Sequence, residues 1–563
     1  MIIAGITVLA LLLRIIGLDK PSGLWYDELI TYNFSLHGFP YTNIRTYLWQ
    51  FLYNYPFFLW QKVFGSSDIM LRGFSVIFGI LTIPAIYMAG KELDKIIKNP
   101  SQNGINKVAI VATSIAALNS LFIYYSQEVR HYSLFFFIST LSALFMIKLL
   151  TKPIKRNYIC YLGVCFLLVE VNLWGTLFIF FQFLSVIAYF YFNNREEFNK
   201  LKKYLPVVVI MPVLAAVYMI YAVLIPSSFI ISPFDHFIFD SQVIFIFLQN
   251  WFSPVLTSLW VNAPNYFTAL FLVKFTLQKL IFICLPVIFS LICIIKANIT
   301  VKKEFNIVNA LFLSAIFYLA IQIVISLSGI YVVVTRYTII ILPFLILILS
   351  YGLCRFNKRI FIFILSYIIS INLFFILASP HSAPKLDRLD GVKPLSTALN
   401  SLPLDKNDIV IFPMDYFDTR YLTKKFIKLN IQGLFINNIN VRLFVGKESA
   451  DKVNQHNSKE FFRNYLNSRN YGKNFENYMA NSVFKSLKSG DYFVYVDDRQ
   501  TTRYNRDFIK LLVNNKSLYK EVSLYTLLFS RISIDMLDIA AVYLKPVKVI
   551  SGRNFKIYVF QKR

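Results

Sequence analysis

The stretch IMLRGFSVIFGILTIPAIYMA, Ile69 to Ala89, carries a single charge, Arg72, near its start, and Lys91, Lys95 and Lys98 follow it. A bilayer core needs about 20 consecutive apolar residues in a helix. Lipid offers no partner to a backbone N–H, so a run of this kind must satisfy its own backbone as a helix. The pattern recurs along the chain. Eleven predicted spans lie near 2–18, 69–89, 108–125, 133–150, 158–174, 176–192, 205–225, 276–295, 307–328, 338–356 and 360–378. Over all 563 residues, 57% are hydrophobic, 17% aromatic and only 15% charged. An average soluble domain carries about 25% charged residues, so soluble, disordered and secreted disulfide-rich classes fit poorly. The reading is a polytopic α-helical membrane protein.

The last apolar run stops at Ala378-Ser379-Pro380-His381, and the charge density then rises to that of a soluble domain. Two domains are therefore predicted: a membrane domain over 1–379 and a soluble mixed α/β domain over 380–563. The formal charge is +27. No nucleic-acid motif accompanies it, so anionic membrane lipid, and not nucleic acid, is the expected partner for the basic charge. Cys160, Cys165, Cys284, Cys293 and Cys354 all lie in apolar runs and read as small hydrophobes in helix packing.

Lys and Arg set the expected orientation. One set of connections holds eighteen of them, in clusters such as Lys148, Lys152, Lys155 and Arg156; the alternate set holds eight. The basic set is expected to face the cytoplasm, which puts the C-terminal domain outside the cell membrane. The first span has no small-residue cleavage site and reads as an uncleaved signal anchor, interrupted by Arg14.

Three outer segments then matter. The first, 18–68, contains the consecutive acids Asp27 and Glu28 beside Trp25 and Tyr26. Intramembrane or interfacial acids tend to be paired or functional, although an Asp-Glu pair is often only a solvated loop. The second is the turn Ser126-Gln127-Glu128-Val129-Arg130-His131-Tyr132. If it is helical, Glu128 shares a face with His131 or Tyr132. Arg130 either closes this turn as an ion pair or aims its planar fork at a phosphate. Arg336-Tyr337 presents the same choice, and Glu170 and Asn172 can reach the same surface. The third segment, 226–268, is rich in aromatics and lacks Lys and Arg; it reads as an interfacial loop or as a lip for lipid entry. The five histidines form no zinc motif, and no Gly-rich phosphate loop or Gly-x-Ser-x-Gly element appears.

Leu11-Leu12-Leu13-Arg14-Ile15-Ile16-Gly17-Leu18, Leu24-Trp25-Tyr26-Asp27-Glu28, Tyr55-Pro56-Phe57-Phe58-Leu59-Trp60, Phe64 to Arg72 and Tyr125 to Tyr132 follow one another in an order that resembles bacterial GT-C glycosyltransferases. The group it resembles is that of protein O-mannosyltransferases and lipid A aminoarabinose transferases. The resemblance is specific over about 10–150 and faint around 330–355. It implies a GT-C-like membrane domain and inverting transfer of a hexosyl or pentosyl group from a polyprenyl-phosphate carrier to an extracytoplasmic lipid, glycan or protein acceptor. It further implies that Asp27 is the base, supported by Glu28 and Glu128. Arg130 and Arg336, with Tyr337 and less directly Arg72, would meet the departing phosphate. No cofactor is required in principle, and a divalent cation could be held by Asp27, Glu28 and Glu128. Two departures stand out: Asn54-Tyr55-Pro56 replaces a His or Lys followed by two prolines, and Leu29-Ile30-Thr31-Tyr32 keeps only the tyrosine of an Arg-Tyr pair.

In the C-terminal part, Asp408 to Pro413, Gly490 to Asp497 and Phe555 to Phe560 read as strands, and 447–480 as helix or loop. Asp415, Asp418, Asp497 and Asp498 read as loop acids. Two other function classes remain open on sequence alone: a lipid or polysaccharide transporter or flippase, and a sensor or scaffold with an outer ligand-binding domain.

Overall fold

The computed structural model describes residues 2–19, 24, 28, 31–32, 51–96, 106–172, 174–202, 285–299, 306–327, 335–378, 397–403, 409–412, 432–435, 484–498, 537, 540–551 and 555–562. The chain divides into two compact units. One comprises 1–20, 31–231 and 236–384, the other 21–30, 232–235 and 385–563.

The first unit is helical. Its described elements begin with α1 (Ile2–Ile15), α2 (Phe51–Phe64), α3 (Asp68–Asp94), α4 (Lys107–Leu118), α5 (Ser120–Ser126), α6 (Tyr132–Thr151), α7 (Lys155–Val171), α8 (Trp174–Asn193) and α9 (Arg195–Leu201). They continue with α10 (Leu285–Ile299), α11 (Ile307–Leu327), the single turn α12 (Thr335–Thr338), a 3-10 turn (Ile339–Ile341), α13 (Leu342–Leu353) and α14 (Lys358–Ala378). Among the described residues, α3, α6, α8 and the Ile307–Ile325 part of α11 are long and apolar enough to cross a membrane, by length and composition. With the apolar composition, they place the chain in a membrane.

The expected spans overlap described helices except that near 205–225, which lies outside the described residues, as does 276–284 of the 276–295 span; the span near 338–356 is made of α12, the 3-10 turn and α13. Two expectations need correction. The predicted 108–125 span is two helices, α4 and α5, broken at Asn119, whose backbone is extended (ψ 115°) and whose side chain accepts from the Phe122 N–H at 3.0 Å. Asn is a strong helix N-cap and a poor interior residue, which accounts for the break. The 18–68 segment, expected as an outer loop, contains α2. This helix packs Tyr53 edge-on and Phe57 at a tilt against Phe74 of α3, with ring centres 5.3 and 5.5 Å apart, and Trp60 Nε1 donates to the Met70 carbonyl at 2.7 Å. The core runs between α3 and its neighbours α4 and α6, and between α8 and α11.

The second unit holds a five-stranded mixed sheet. Its strands are β1 (Ile409–Phe412), β2 (Gln432–Phe435), β3 (Tyr492–Asp498), β4 (Lys545–Ser551) and β5 (Phe555–Gln561), in the order β2-β1-β3-β5-β4. β2, β1 and β3 run parallel, while β5 pairs antiparallel with both β3 and β4. The three predicted strands are present; β2 and β4 are additions. Alternation sets the faces: Val494 lies opposite Val559, and Phe493 opposite Phe560, all four buried. β4 is an edge, guarded by Pro546, a bulge between Pro546 and Lys548, and its lysines. Asp497 and Asp498 close β3, opposite Lys556 and Phe555 in the ladder. Residues 447–480, Asp415 and Asp418 lie outside the described residues.

Candidate functional site

The candidate site of the helical unit is built around residues 127–131, which join α5 to α6. This segment is a turn, not a helix: the Arg130 N–H donates to the Glu128 carbonyl at 2.8 Å, and helical bonding resumes only when Phe135 N donates to the His131 carbonyl at 2.9 Å. The helical-face argument for Glu128 and His131 therefore does not apply. Both residues are buried within the turn.

A hydrogen bond from α3 reaches the turn and is backed by bonds from α2 and α6. Ser75 Oγ, on α3, donates to the Arg130 carbonyl at 3.3 Å; having one proton, it accepts from the Tyr53 hydroxyl of α2 at 2.9 Å. Ser133 Oγ donates to the Ser75 carbonyl at 2.6 Å. On the other side, Asn172 stands between α7 and α8. Its Oδ1 accepts from the Trp174 N–H at 2.9 Å, so its amide nitrogen is the group facing His131 Nε2 at 2.8 Å. Nε2 is then the acceptor, and the proton of the neutral ring sits on Nδ1.

The Arg130 side chain is partly exposed. Its Nη1 donates to Thr31 Oγ1 at 3.1 Å, and its guanidinium carbon lies 5.5 Å from the centre of the Tyr132 ring. Thr31 is buried. Its neighbour Tyr32 hydrogen-bonds Ser66, and its phenol pKa is pushed up by burial and by nearby Asp68, against the pull of the Ser66 bond. The start of α8 closes the far side. The Trp174 ring lies 5.2 Å from that of Tyr337, whose carbonyl accepts from the Tyr318 hydroxyl at 2.8 Å. Gly175 makes this junction possible, because a Cβ there would stand 2.4 Å from the Leu168 carbonyl oxygen.

Of the residues singled out from sequence, Glu128, Arg130, His131, Asn172 and Tyr337 are thus linked through one set of contacts. Arg336 lies in α12 next to Tyr337. Arg72 is fully buried and its Nη1 donates to the Leu18 carbonyl at 3.1 Å, beyond the end of α1. Glu170 is partly buried in α7. Glu28 is buried and belongs to the second unit; Asp27 and the 226–268 segment lie outside the described residues. Among the described residues no group of three His, Cys, Asp or Glu side chains is gathered closely enough to hold a metal ion. Sequence reasoning missed Tyr53, Ser75 and Thr31. A Ser inside an apolar span carries no signal by itself, whereas Thr31 stood in the motif only as a departure.

With this geometry in hand, the chain can be set beside known proteins. No family profile matches it, and no curated protein matches it in sequence. Solved structures are similar to it. One is ArnT from Cupriavidus metallidurans bound to undecaprenyl phosphate, at 12% identity and a TM-score of 0.47, covering 99% of this chain and 97% of that one. Another is the Archaeoglobus fulgidus oligosaccharyltransferase in complex with zinc and sulfate, at 14% identity and a TM-score of 0.44, covering 99% and 73%. A third is AglB from the same archaeon with an inhibitory peptide and a dolichol-phosphate, at 13% identity and a TM-score of 0.41, covering 99% and 74%.

Proposed function

We propose that this chain is an integral-membrane inverting glycosyltransferase, which moves a sugar from a polyprenyl-phosphate carrier to an extracytoplasmic lipid, glycan or protein acceptor. The observation that carries the reading is the hydrogen bond from Arg130 to Thr31, 3.1 Å long. Thr31 follows Asp27 by four residues in the sequence. The bond joins the segment that follows the acids in the sequence motif to the turn that carries the cation, which supports reading the two stretches as parts of one catalytic motif.

In this reading Asp27 accepts the proton of the acceptor hydroxyl as its oxygen attacks the anomeric carbon. The new glycosidic bond forms on the face opposite the leaving group, so the configuration inverts. The bond to the carrier phosphate breaks, and the electron pair leaves with a phosphate that needs no proton. Arg130, with Arg336 and with Tyr337 beside Trp174, meets the charge that develops there. Glu28 and Glu128 support Asp27 or the acceptor. Arg72, bound to the Leu18 carbonyl, steadies the exit of α1.

The test is a transfer assay on full-length protein in lipid, wild type beside Asp27→Asn. It offers polyprenyl-phosphate sugars with envelope lipid, glycan and protein acceptors, with and without chelator. Transfer by wild type alone is the expected outcome. A well-folded wild type that transfers nothing from any lipid-linked donor would overturn the reading in favour of lipid or polysaccharide transport.

A further inference from the structure

Arg14 lies within an apolar helix, is fully buried, and donates from all three of its guanidinium nitrogens. Nε donates to Ser126 Oγ at 3.3 Å, Nη1 to the Ala10 and Ala117 carbonyls at 3.1 and 3.2 Å, and Nη2 to the Ala116 carbonyl at 3.4 Å. Ala116 and Ala117 belong to the last turn of α4, where the break at Asn119 leaves carbonyls without the N–H groups a continuing helix would supply. Those carbonyls also carry the negative end of the helix dipole, so a cation is the group that suits them. Arg14 thus occupies the break. Its partners among the described residues are carbonyls and one hydroxyl, and a carboxylate is not among them.

The same end of α1 is joined directly to the candidate site. Gln127 Nε2 donates to the Arg14 carbonyl at 3.2 Å and to the Ile16 carbonyl at 2.9 Å. Ser126 and Gln127 immediately precede Glu128. On the third side, α3 comes close at Gly79, where a Cβ would lie 2.1 Å from Ser126 Oγ and 3.2 Å from Arg14 Nε. A glycine is needed at this point for the serine to sit against the arginine.

We infer that Arg14 is a positioning residue: by closing the α4–α5 break and holding Ser126, it sets where the turn bearing Glu128 and Arg130 leaves the helix bundle. The structural part stands on these contacts; its meaning for catalysis rests on the glycosyltransferase reading. Arg14 is expected to act through the turn and not on substrate.

The experiment uses full-length Arg14→Lys, Arg14→Met, Ser126→Ala and Gly79→Ala proteins in lipid, and reads amide hydrogen exchange beside donor-dependent kinetics. Exchange is expected to rise across 119–132 and stay unchanged over α10. With a misplaced Arg130, kcat is expected to fall about 10²-fold in Arg14→Met, because small misplacements of an oriented group cost about that much. KM for the donor should stay within a factor of about three, as the interaction lost belongs to the transition state. Arg14→Lys, which keeps the cation but not the fork, should retain more activity than Arg14→Met. If either arginine variant fails to fold, Ser126→Ala and Gly79→Ala perturb the same contact without removing the charge. Unchanged exchange over 119–132 in folded variants would overturn the proposal. If wild type transfers nothing, the exchange arm still decides whether Arg14 holds the turn, so failure of the reading and failure of the inference stay separate.

Discussion

Arg130 and Thr31, ninety-nine residues apart, are joined by a hydrogen bond of 3.1 Å from the guanidinium to the hydroxyl. A charged donor makes this a stronger contact than an ordinary neutral hydrogen bond, with a contribution of about 1.5 to 3 kcal/mol. Thr31→Val is therefore expected to lower kcat/KM roughly tenfold, at the lower end of that range. Arg130→Ala, which removes the cation itself, is expected to lose at least about 10²-fold, as removal of one preorganised donor does in other enzymes. Steady-state transfer kinetics check both, and equal effects of the two substitutions would count against the tether.

Asp27→Asn keeps the shape and removes the base. Transfer is expected to fall by about 10² to 10⁴-fold, the usual span for a general base. Thermal unfolding in detergent should match wild type. Near-normal turnover by the variant would sink Asp27 as the proton acceptor.

Gly175→Ala should weaken the α7–α8 junction, since its Cβ would meet the backbone oxygen of Leu168 at 2.4 Å and backbone cannot swing aside. Overpacking of this kind costs about 1 to 3 kcal/mol. A lowered unfolding temperature, accompanied by loss of transfer as the Trp174–Tyr337 contact shifts, is the expected result.

At the opposite end of α8, Glu197 accepts from Lys200 and from the Tyr158 hydroxyl, each at 2.7 Å. Burial pushes the Glu197 carboxyl up, but the bonds from Lys200 and Tyr158 and the Lys200 charge outweigh it, and its pKa lies below the ordinary value. A depressed pKa in the folded state means stabilisation above the unfolded value, near 4.5, that is lost as pH falls through the folded value. The stability difference between wild type and Glu197→Gln should therefore shrink below about pH 4.5. Unfolding curves across that range, in both proteins, measure it.

The helices were readable because lipid leaves an apolar run no other way to satisfy its backbone. The three strands Ile409–Phe412, Tyr492–Asp498 and Phe555–Gln561 were readable from turn residues followed by β-branched and aromatic runs. The Asn119 break was not. A single Asn within an apolar stretch is compatible with a continuous helix, and what stabilises the interruption is Arg14, 103 residues from Ala117 and 102 from Ala116. Likewise α2 was hidden in a segment classed as loop, because its stability comes from Tyr53, Phe57 and Trp60 packing on α3 and not from a charge-free run of spanning length.

The chemistry divides along the same line. Composition, hydropathy and the spacing of acids and arginines are local properties, and they suffice to put the chain in a membrane and to mark Asp27, Arg130 and Tyr337 as residues of interest. Which groups meet is a matter of contacts across long stretches of chain. The Ser75 hydroxyl reaches the Arg130 carbonyl over 55 residues, and the Asn172 amide reaches His131 over 41. No local pattern encodes those pairings, because each depends on where whole helices pack and on close approaches such as Gly79 against Ser126. Packing alone turns a row of polar residues at helix ends into a turn with one defined shape.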